Sequence, residues 1–293
     1  LEVAGRCVDA DGAAGLAAAL SACPGLTELS MRANPLGDSG AAALARSMAG
    51  QGRLERLELS ECGIGTAGAA ALAGALHGRS TLRAVTLQGN ALDDSGAEAV
   101  AEAVGSLPGL THLNMQRCDF GVSGAFALAA AIPACTALHT LNLAWCRLGC
   151  AGAQAVAEAA GKCRVLRELG LQGCEIRAEG AAGLAEMLGR HERLWCLRLA
   201  HNDMGEEREH ELCDALSDQL SLMLALQRKA SCPPPHLDED AARQWRRAES
   251  DAHSAAKWRM HGEYVRRENE MLGFWFSRHG GRRCDELLDD LLV

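Results

Sequence analysis

The residues best suited to chemistry in this chain are its cysteines and two glycine-framed motifs. Thirteen cysteines could hold a soft metal, form redox pairs or act as nucleophiles. Gly63-Ile64-Gly65-Thr66-Ala67-Gly68 spells G-x-G-x-x-G, a spacing that lets backbone approach a dinucleotide pyrophosphate closely. Gly37-Asp38-Ser39-Gly40 sets a serine beside an aspartate between two glycines, where a hydroxyl could act as a nucleophile. Which of these chemistries is real depends on the elements that hold the residues.

Those elements recur. Leucine stands at 26, 54, 82, 110, 138, 166 and 194, always 28 residues apart. Three residues on come Leu29, Leu57, Val85, Leu113, Leu141, Leu169 and Leu197, and two further on Met31, Leu59, Leu87, Met115, Leu143, Leu171 and Leu199. A polar column follows, of Asn34, Cys62, Asn90, Cys118, Cys146, Cys174 and Asn202. Then come Leu36, Ile64, Leu92, Phe120, Leu148, Ile176 and Met204, and a glycine column at 40, 68, 96, 124, 152 and 180.

Alternation such as Leu57-Glu58-Leu59 has the period of two of a half-buried strand. The second half of each unit, such as Gly68 to Leu76, has helical spacing and good helix formers. Asp38, Thr66, Asp94 and Ser123 lie where an oxygen would cap the start of such a helix. Ala41, Ala69, Ala97, Ala125 and Ala153 share one helical position, where a small residue permits close helix–sheet contact. Each unit therefore reads as strand, loop, helix, and none can bury its apolar face alone. Seven full units stacked at strand spacing give an inner arc of roughly 34 Å.

The pattern L-x-x-L-x-L-x-x-N/C-x-L resembles the leucine-rich repeat. The 28-residue period is similar to the ribonuclease-inhibitor subfamily, shared by ribonuclease inhibitor, the repeat regions of NOD-like receptors and Ran GTPase-activating proteins. The resemblance implies an α/β fold: a leucine-rich repeat solenoid, a horseshoe arc with a parallel inner sheet, followed here by a helical extension. It covers residues 1 to about 220, with Leu1 and Val3 fitting the strand of a truncated first unit and Cys7 and Val8 fitting less well. The domains expected are 1–230, one partial and seven full repeats with a carboxyl-terminal cap, and 231–293, a proline-rich break and helical extension. The resemblance also implies that the Asn/Cys column points inward and hydrogen-bonds the loop leaving the strand.

Set in this register, the glycine-framed motifs lose their chemistry. Gly65 matches Gly37, Gly121, Gly149 and Gly205, Gly68 belongs to the glycine column, and no acidic residue for a ribose stands near Val85 to Gln88. Gly37-Asp38-Ser39-Gly40 resembles the nucleophile segment of trypsin-like proteases. It recurs as Asp94-Ser95-Gly96 and Val122-Ser123-Gly124 at each helix start, where capping accounts for it. Cys62, Cys118, Cys146 and Cys174 take asparagine positions, and Cys23, Cys135 and Cys163 share a second column. Cys146 with Cys150 comes nearest to metal-ligand spacing, but a four-ligand signature is missing, so neither metal nor cofactor is expected. Many repeat-placed thiols suit a reducing compartment. The expected location is the cytoplasm, with nucleus or cilium as alternatives.

Outward strand positions of a solenoid line up into a concave surface. The candidate partner-binding residues there are Arg32, Arg56, Glu58, Glu61, His112, Asn114, Gln116, Arg117, Asn142, Trp145, Arg147, Glu168, Gln172, Arg198 and His201. The surface is polar and mixed in sign. A tryptophan beside Arg117 and Arg147 has the composition of a binding hot spot, or Trp145 covers neighbouring loops; both readings stand. No nucleophile–base pair or carboxylate pair emerges from these columns, and no catalysis is expected.

The net charge of −9 argues against non-specific binding to nucleic acid. No apolar run reaches the roughly 20 residues a membrane span needs. The chain starts without Met or a secretory leader and reads as a fragment or processed product. After Asn202 the register fades, and Leu220, Leu222, Leu224 and Leu226 fit either a capping strand or a longer helix. Beyond Pro233-Pro234-Pro235, residues 238 to about 273 read as helix, with Trp258, Val265 and Leu272 every seven residues. Residues 241–283 hold ten Lys/Arg against five Asp/Glu, which suits packing on the solenoid or on a partner helix.

The function read from all this is an intracellular scaffold that binds a partner protein on its concave face, as the repeat region of a NOD-like-receptor-type regulator would. The alternatives are a Ran-type GTPase-activating protein and a structural component of a cytoskeletal or ciliary assembly.

Overall fold

The computed structural model describes residues 1–204, apart from 49, 50, 189, 190, 192 and 195, together with the backbone of 223–225. Strand and helix alternate throughout: α1 (Ala10–Ser21), β1 (Glu28–Ser30), α2 (Gly37–Met48), β2 (Arg56–Glu58), α3 (Thr66–Leu76), β3 (Ala84–Thr86), α4 (Asp93–Gly105), β4 (His112–Asn114), α5 (Val122–Ala131), β5 (Thr140–Asn142), α6 (Gly149–Lys162), β6 (Glu168–Gly170), α7 (Ala178–Leu188), β7 (Cys196–Arg198) and β8 (Met223–Ala225). The strands form one parallel sheet in chain order. From β1 to β7 every residue pairs with the one 28 positions on, as Leu57 with Leu29 and Val85. The α/β solenoid expected from the repeat is the fold observed.

Each strand from β1 to β7 buries its central leucine or valine, and from β1 to β5 the flanking residues stay partly or fully exposed. Leu29, Leu57, Val85, Leu113, Leu141, Leu169 and Leu197 are all at most 1% exposed. Residues of the first leucine column, from Leu54 to Leu194, are wholly buried, whereas Leu26 is only half-buried because a single partial unit precedes it. That partial unit still joins the stack: Glu2 bridges to Ser30 in parallel and α1 packs beside α2.

The glycine column sets the helix spacing. A Cβ at Gly124 would lie 2.8 Å from the Ala97 Cβ, and one at Gly152 3.0 Å from that of Ala125. The buried alanine column thus receives the next helix's glycine as well as facing the sheet, and a larger residue at either place would pry neighbouring units apart.

Capping differs from the sequence expectation. Asp38 and Asp94 sit inside the first turns of α2 and α4 and cap the following unit's helix. Asp38 Oδ1 accepts from the Gly65 and Gly68 amides, and Asp94 Oδ1 from those of Gly121 and Gly124. One carboxylate thereby satisfies two free helix-start donors of its neighbour. Asp93 caps its own helix through the Gly96 amide. The Thr66 hydroxyl donates to Asp93 as well, and these bonds hold that carboxyl below its ordinary pKa.

A second tie runs along the helix ends. Arg79 threads back to the carbonyls of Met48 and Gln51 while its Nε donates to Ala75 O. A cation so placed meets the negative ends of two helices. His191 and Gln51 occupy the same column and likewise donate to or face carbonyls of the preceding unit. Of the capping strand and the longer helix that the alternating leucines allow, the strand is present at Met223–Ala225, pairing parallel to β7 with a 27-residue offset. The helical extension and its Trp258, Val265 and Leu272 stripe lie outside the described residues.

Candidate partner-binding surface

The position just after each strand has one unusual backbone. Ala33, Glu61, Gly89, Arg117, Trp145, Gly173 and His201 all have φ between 55° and 71°, the left-handed region that side-chain-bearing residues rarely adopt. The reason is local. In that conformation the amides from Ala33 to Gly173 still reach the next strand's exit, as Trp145 N does to Gln172 O at 2.6 Å and Arg117 N to Ala144 O at 2.9 Å. The ladder continues three residues past the strand, through Leu143 N to Gly170 O and Trp145 N to Gln172 O, while the chain turns away.

This turn throws the side chains sideways along the rim. The Trp145 indole lies across Gly173, where a Cβ would stand only 2.4 Å from the ring. It meets His201, two units away, with ring centroids 5.1 Å apart, and the Arg117 guanidinium stands 5.8 Å from its own centroid. Trp145 still leaves 41% of its surface exposed. It therefore covers the neighbouring loop and presents an aromatic face at once.

On the concave face the amides of units three to five bond to one another. Asn114 Nδ2 donates to Gln88 Oε1 and Asn142 Nδ2 to Gln116 Oε1, each at 3.2 Å. Asn114 and Asn142 also accept from the amides of Gln116 and Ala144. Gly170 ends this diagonal ladder, and Gln172 Oε1 is left buried without a donor among the described residues. The charged residues pair along the arc: Arg56 with Glu28 at 3.5 Å, Arg32 with Glu61 at 3.8 Å, Arg147 with Asp119 at 2.9 Å and Arg198 with Glu168 at 3.6 Å. Arg117 meets no carboxylate among the described residues. Glu58 accepts from the Ser60 hydroxyl, and His112 shares a hydrogen with Thr111. Of the sequence-predicted residues, Arg117, Trp145 and His201 come together as one cluster on the rim and Asn114, Gln116 and Asn142 as a hydrogen-bonded group on the concave face; the rest spread along the arc singly or in ion pairs.

Beneath this face runs the polar column. Asn34, Asn90 and Asn202 each accept two backbone amides of the preceding unit and donate to carbonyls of that unit and of their own. For Asn90 these are the amides of Cys62 and Ile64 and the carbonyls of Leu59 and Leu87. The cysteines keep the donor half. Cys62 Sγ donates to Met31 O at 3.1 Å, Cys118 to Leu87 O, Cys146 to Met115 O and Cys174 to Leu143 O.

The family model described as a Leucine Rich repeat matches residues 22–45, 54–73, 80–101, 108–129, 134–157 and 162–185. The chain carries leucine-rich repeats. The solved structure of Leiomodin-1 Actin-Binding Site 2 (ABS2) is 19% identical, with 57% of this chain and 94% of that one covered and a TM-score of 0.40. No curated protein sequence matches the chain.

Within the leucine-rich repeats the thiols are structural in setting. Burial pushes the Cys146 and Cys174 thiols up to about 12 and that of Cys135 to about 11, and raises that of Cys118 too. No group of three or more potential metal ligands exists among the described residues, and no described helix is long and apolar enough to cross a membrane.

The raised thiol pKa values set an alkaline limit. An unfolded chain releases these protons near pH 8.5, whereas the folded chain holds those of Cys146 and Cys174 to about 12. Above pH 8.5 the unfolded state therefore binds fewer protons, and stability falls as pH rises toward the folded values. Denaturant melts under reducing conditions should show full stability at pH 7.5 and a clear drop by pH 10. Replacing Cys118, Cys146 and Cys174 with alanine should flatten that drop; an equally steep profile in the triple variant would refute the assignment.

Proposed function

We propose that these leucine-rich repeats are a protein-recognition scaffold whose partner docks on the concave face and the strand-exit rim, anchored at Trp145. The observation that carries the reading is the fixed posture of that side chain. Its ring is braced on Gly173 and His201, beside an arginine with no carboxylate partner among the described residues. An aromatic anchor held in place before binding loses little entropy on docking, and Trp and Arg dominate interface energetics. The paired charges and the amide ladder around it supply a polar rim.

The setting we favour is cytoplasmic, where the thiols stay reduced, and the molecular role is that of a sensor or regulatory repeat region of the NOD-like-receptor type. Affinity capture from a reducing lysate tests the docking site. Trp145→Ala should weaken retention of the captured partner about tenfold or more while leaving the melting temperature unchanged. An identical partner set for both proteins would reject the rim as the docking site. A GTPase assay showing acceleration would replace the scaffold reading with that of a Ran-type activator.

A further inference from the structure

The opposite rim, where the chain enters the strands, separates charge in a way the concave face does not. In units four to seven it is formed by residues 106–112, 134–140, 162–168 and the described residues from His191 to Cys196. It carries His112, His139, Lys162, Arg164, Arg167 and Arg193. Among its described residues the sole acid is Glu168, which is engaged by Arg198. Arg190 and Glu192, opposite in sign, lie outside the described residues.

The cations are neighbours by construction. His139 N donates to Thr111 O and Arg167 N to His139 O, each at 2.8 Å, so these residues stand side by side at strand spacing. Arg164, Arg167 and Arg193 are exposed, and no ion pair to any of them occurs among the described residues. Burial, followed by the charges of Arg167 and His112, lowers the His139 pKa, as expected where cations gather without acids. Lys162 lies in the last turn of α6, where a cation complements the helix dipole. Arg164, Arg167 and Arg193 lie beyond the helix ends and have no such task. The helices carry the opposite sign, with Asp93, Glu98, Glu102, Glu158, Glu179 and Glu186 all exposed. An acidic protein with a net charge of −9 has thus gathered unpaired cations onto one edge.

We infer that this strand-entry rim binds an acidic polypeptide segment, one rich in Asp and Glu. A stripe crossing four units is roughly 15 Å long at strand spacing, so a stretch of about five or six extended residues spans it. The acidic remainder of the molecule repels a long polyanion such as nucleic acid, whose backbone would overrun the short rim. This surface is separate from the Trp145 cluster and stands or falls independently of it.

The probe is a fluorescent peptide of about eight glutamates titrated with the full chain at low salt. Binding should weaken markedly as salt is raised, and a glutamine peptide of equal length should not bind. Arg164→Gln/Arg167→Gln/Arg193→Gln should weaken the interaction about tenfold or more, while the triple lysine variant keeps most of it and Arg46→Gln, on the convex α2, changes nothing. Circular dichroism should show all variants folded. Trp145→Ala should bind the peptide as the wild type does, so failure here leaves the concave-face reading intact. Three results would overturn the inference. One is no binding, or equal binding by the glutamine triple variant. The second is an equal loss in Trp145→Ala, which would move the peptide to the other rim. The third is tighter binding of single-stranded DNA of matched charge, which would make the rim a nucleic-acid site.

Discussion

Asn90→Ala lowers the stability of the repeat array by about 4 kcal/mol, because it strands four backbone groups at about 1 kcal/mol or more each. The side chain accepts from the Cys62 and Ile64 amides at 3.0 Å and donates to the Leu59 and Leu87 carbonyls at 2.7 Å. It is 1% exposed, so water cannot replace it, and alanine is too short to reach any of the four. The damage falls on the junction between units two and three, in a fold where each unit is stabilised mainly by its neighbours. Asn90→Cys makes the comparison that isolates mechanism. A thiol in this column still donates to the preceding unit, as Cys62 and Cys118 do, but leaves the two amides without an acceptor. Its loss should be about half that of alanine. Urea melts monitored by circular dichroism decide the matter: alanine and cysteine variants of equal stability, or an alanine variant within about 1 kcal/mol of wild type, would sink this account.

Much of this architecture could be read from residue types because it is written in the 28-residue period. The buried strand leucines, the glycine and alanine columns and the inward Asn/Cys column each recur at fixed spacing and occupy the burial their chemistry demands. The resemblance to the leucine-rich repeat anticipated the hydrogen bonds of Asn34, Asn90 and Asn202 in kind. It did not say which unit's backbone they reach, since a column in sequence carries no direction. The same blindness affected Asp38 and Asp94. Their place at a helix start suggested a cap for that helix, but the neighbouring helix's amides converge on the same carboxylates.

Other features have no period to betray them. The posture of Trp145 depends on Gly173 lacking a Cβ, a pairing visible only once adjacent units are known to touch at that place. Glu61 leans over Gly89 in the same way, its Cγ 3.0 Å from where a Cβ would stand, so the combination of a bulky exit residue followed by glycine one unit later was the available signal. Arg79 looks like an exposed cation in a loop and is instead tied into two helix ends. The basic strand-entry rim was hidden for a different cause: its residues fall in different columns, and only the parallel sheet brings them onto one edge.

A longer period lies beneath the short one, and it yields the second large effect. The loops after the polar column alternate. Cys7, Gly63, Asp119 and Glu175 have positive φ in one set, and Gly37, Asp93 and Gly149 do so two positions later in the other. In the first set the loop amides turn inward toward the following unit's column residue. Asn34 receives those of Arg6 and Val8, Asn90 those of Cys62 and Ile64, and Asn202 those of Cys174 and Ile176. The loop carrying Asp119 belongs to this set, yet the residue it faces is Cys146. A thiol cannot take two strong amide bonds: the Cys118 amide meets the Cys146 sulfur, and the Phe120 amide has no acceptor among the described residues. In the other set the loops serve themselves, with Leu92 N bonding to the Asn90 and Cys118 carbonyls, so cysteine at positions 62, 118 and 174 costs nothing comparable.

Cys146→Asn should therefore stabilise the protein, by about 1–2 kcal/mol, as the buried Phe120 amide gains an acceptor and the Cys118 amide exchanges a sulfur for an oxygen. The space is of a kind already proven, since Asn90 stands between Cys62 and Cys118 as residue 146 stands between Cys118 and Cys174. The new amide would donate to the Met115 and Leu143 carbonyls, as Asn90 does to Leu59 and Leu87. The same substitution at Cys118, where the preceding loop is of the self-serving type, should give no such gain. Urea melts of both variants at pH 7.5 under reducing conditions make the comparison, and hydrogen exchange at the Cys118 and Phe120 amides should slow in Cys146→Asn alone. Equal effects at the two positions would mean that the alternation of loop geometry has no bearing on which column residue accepts.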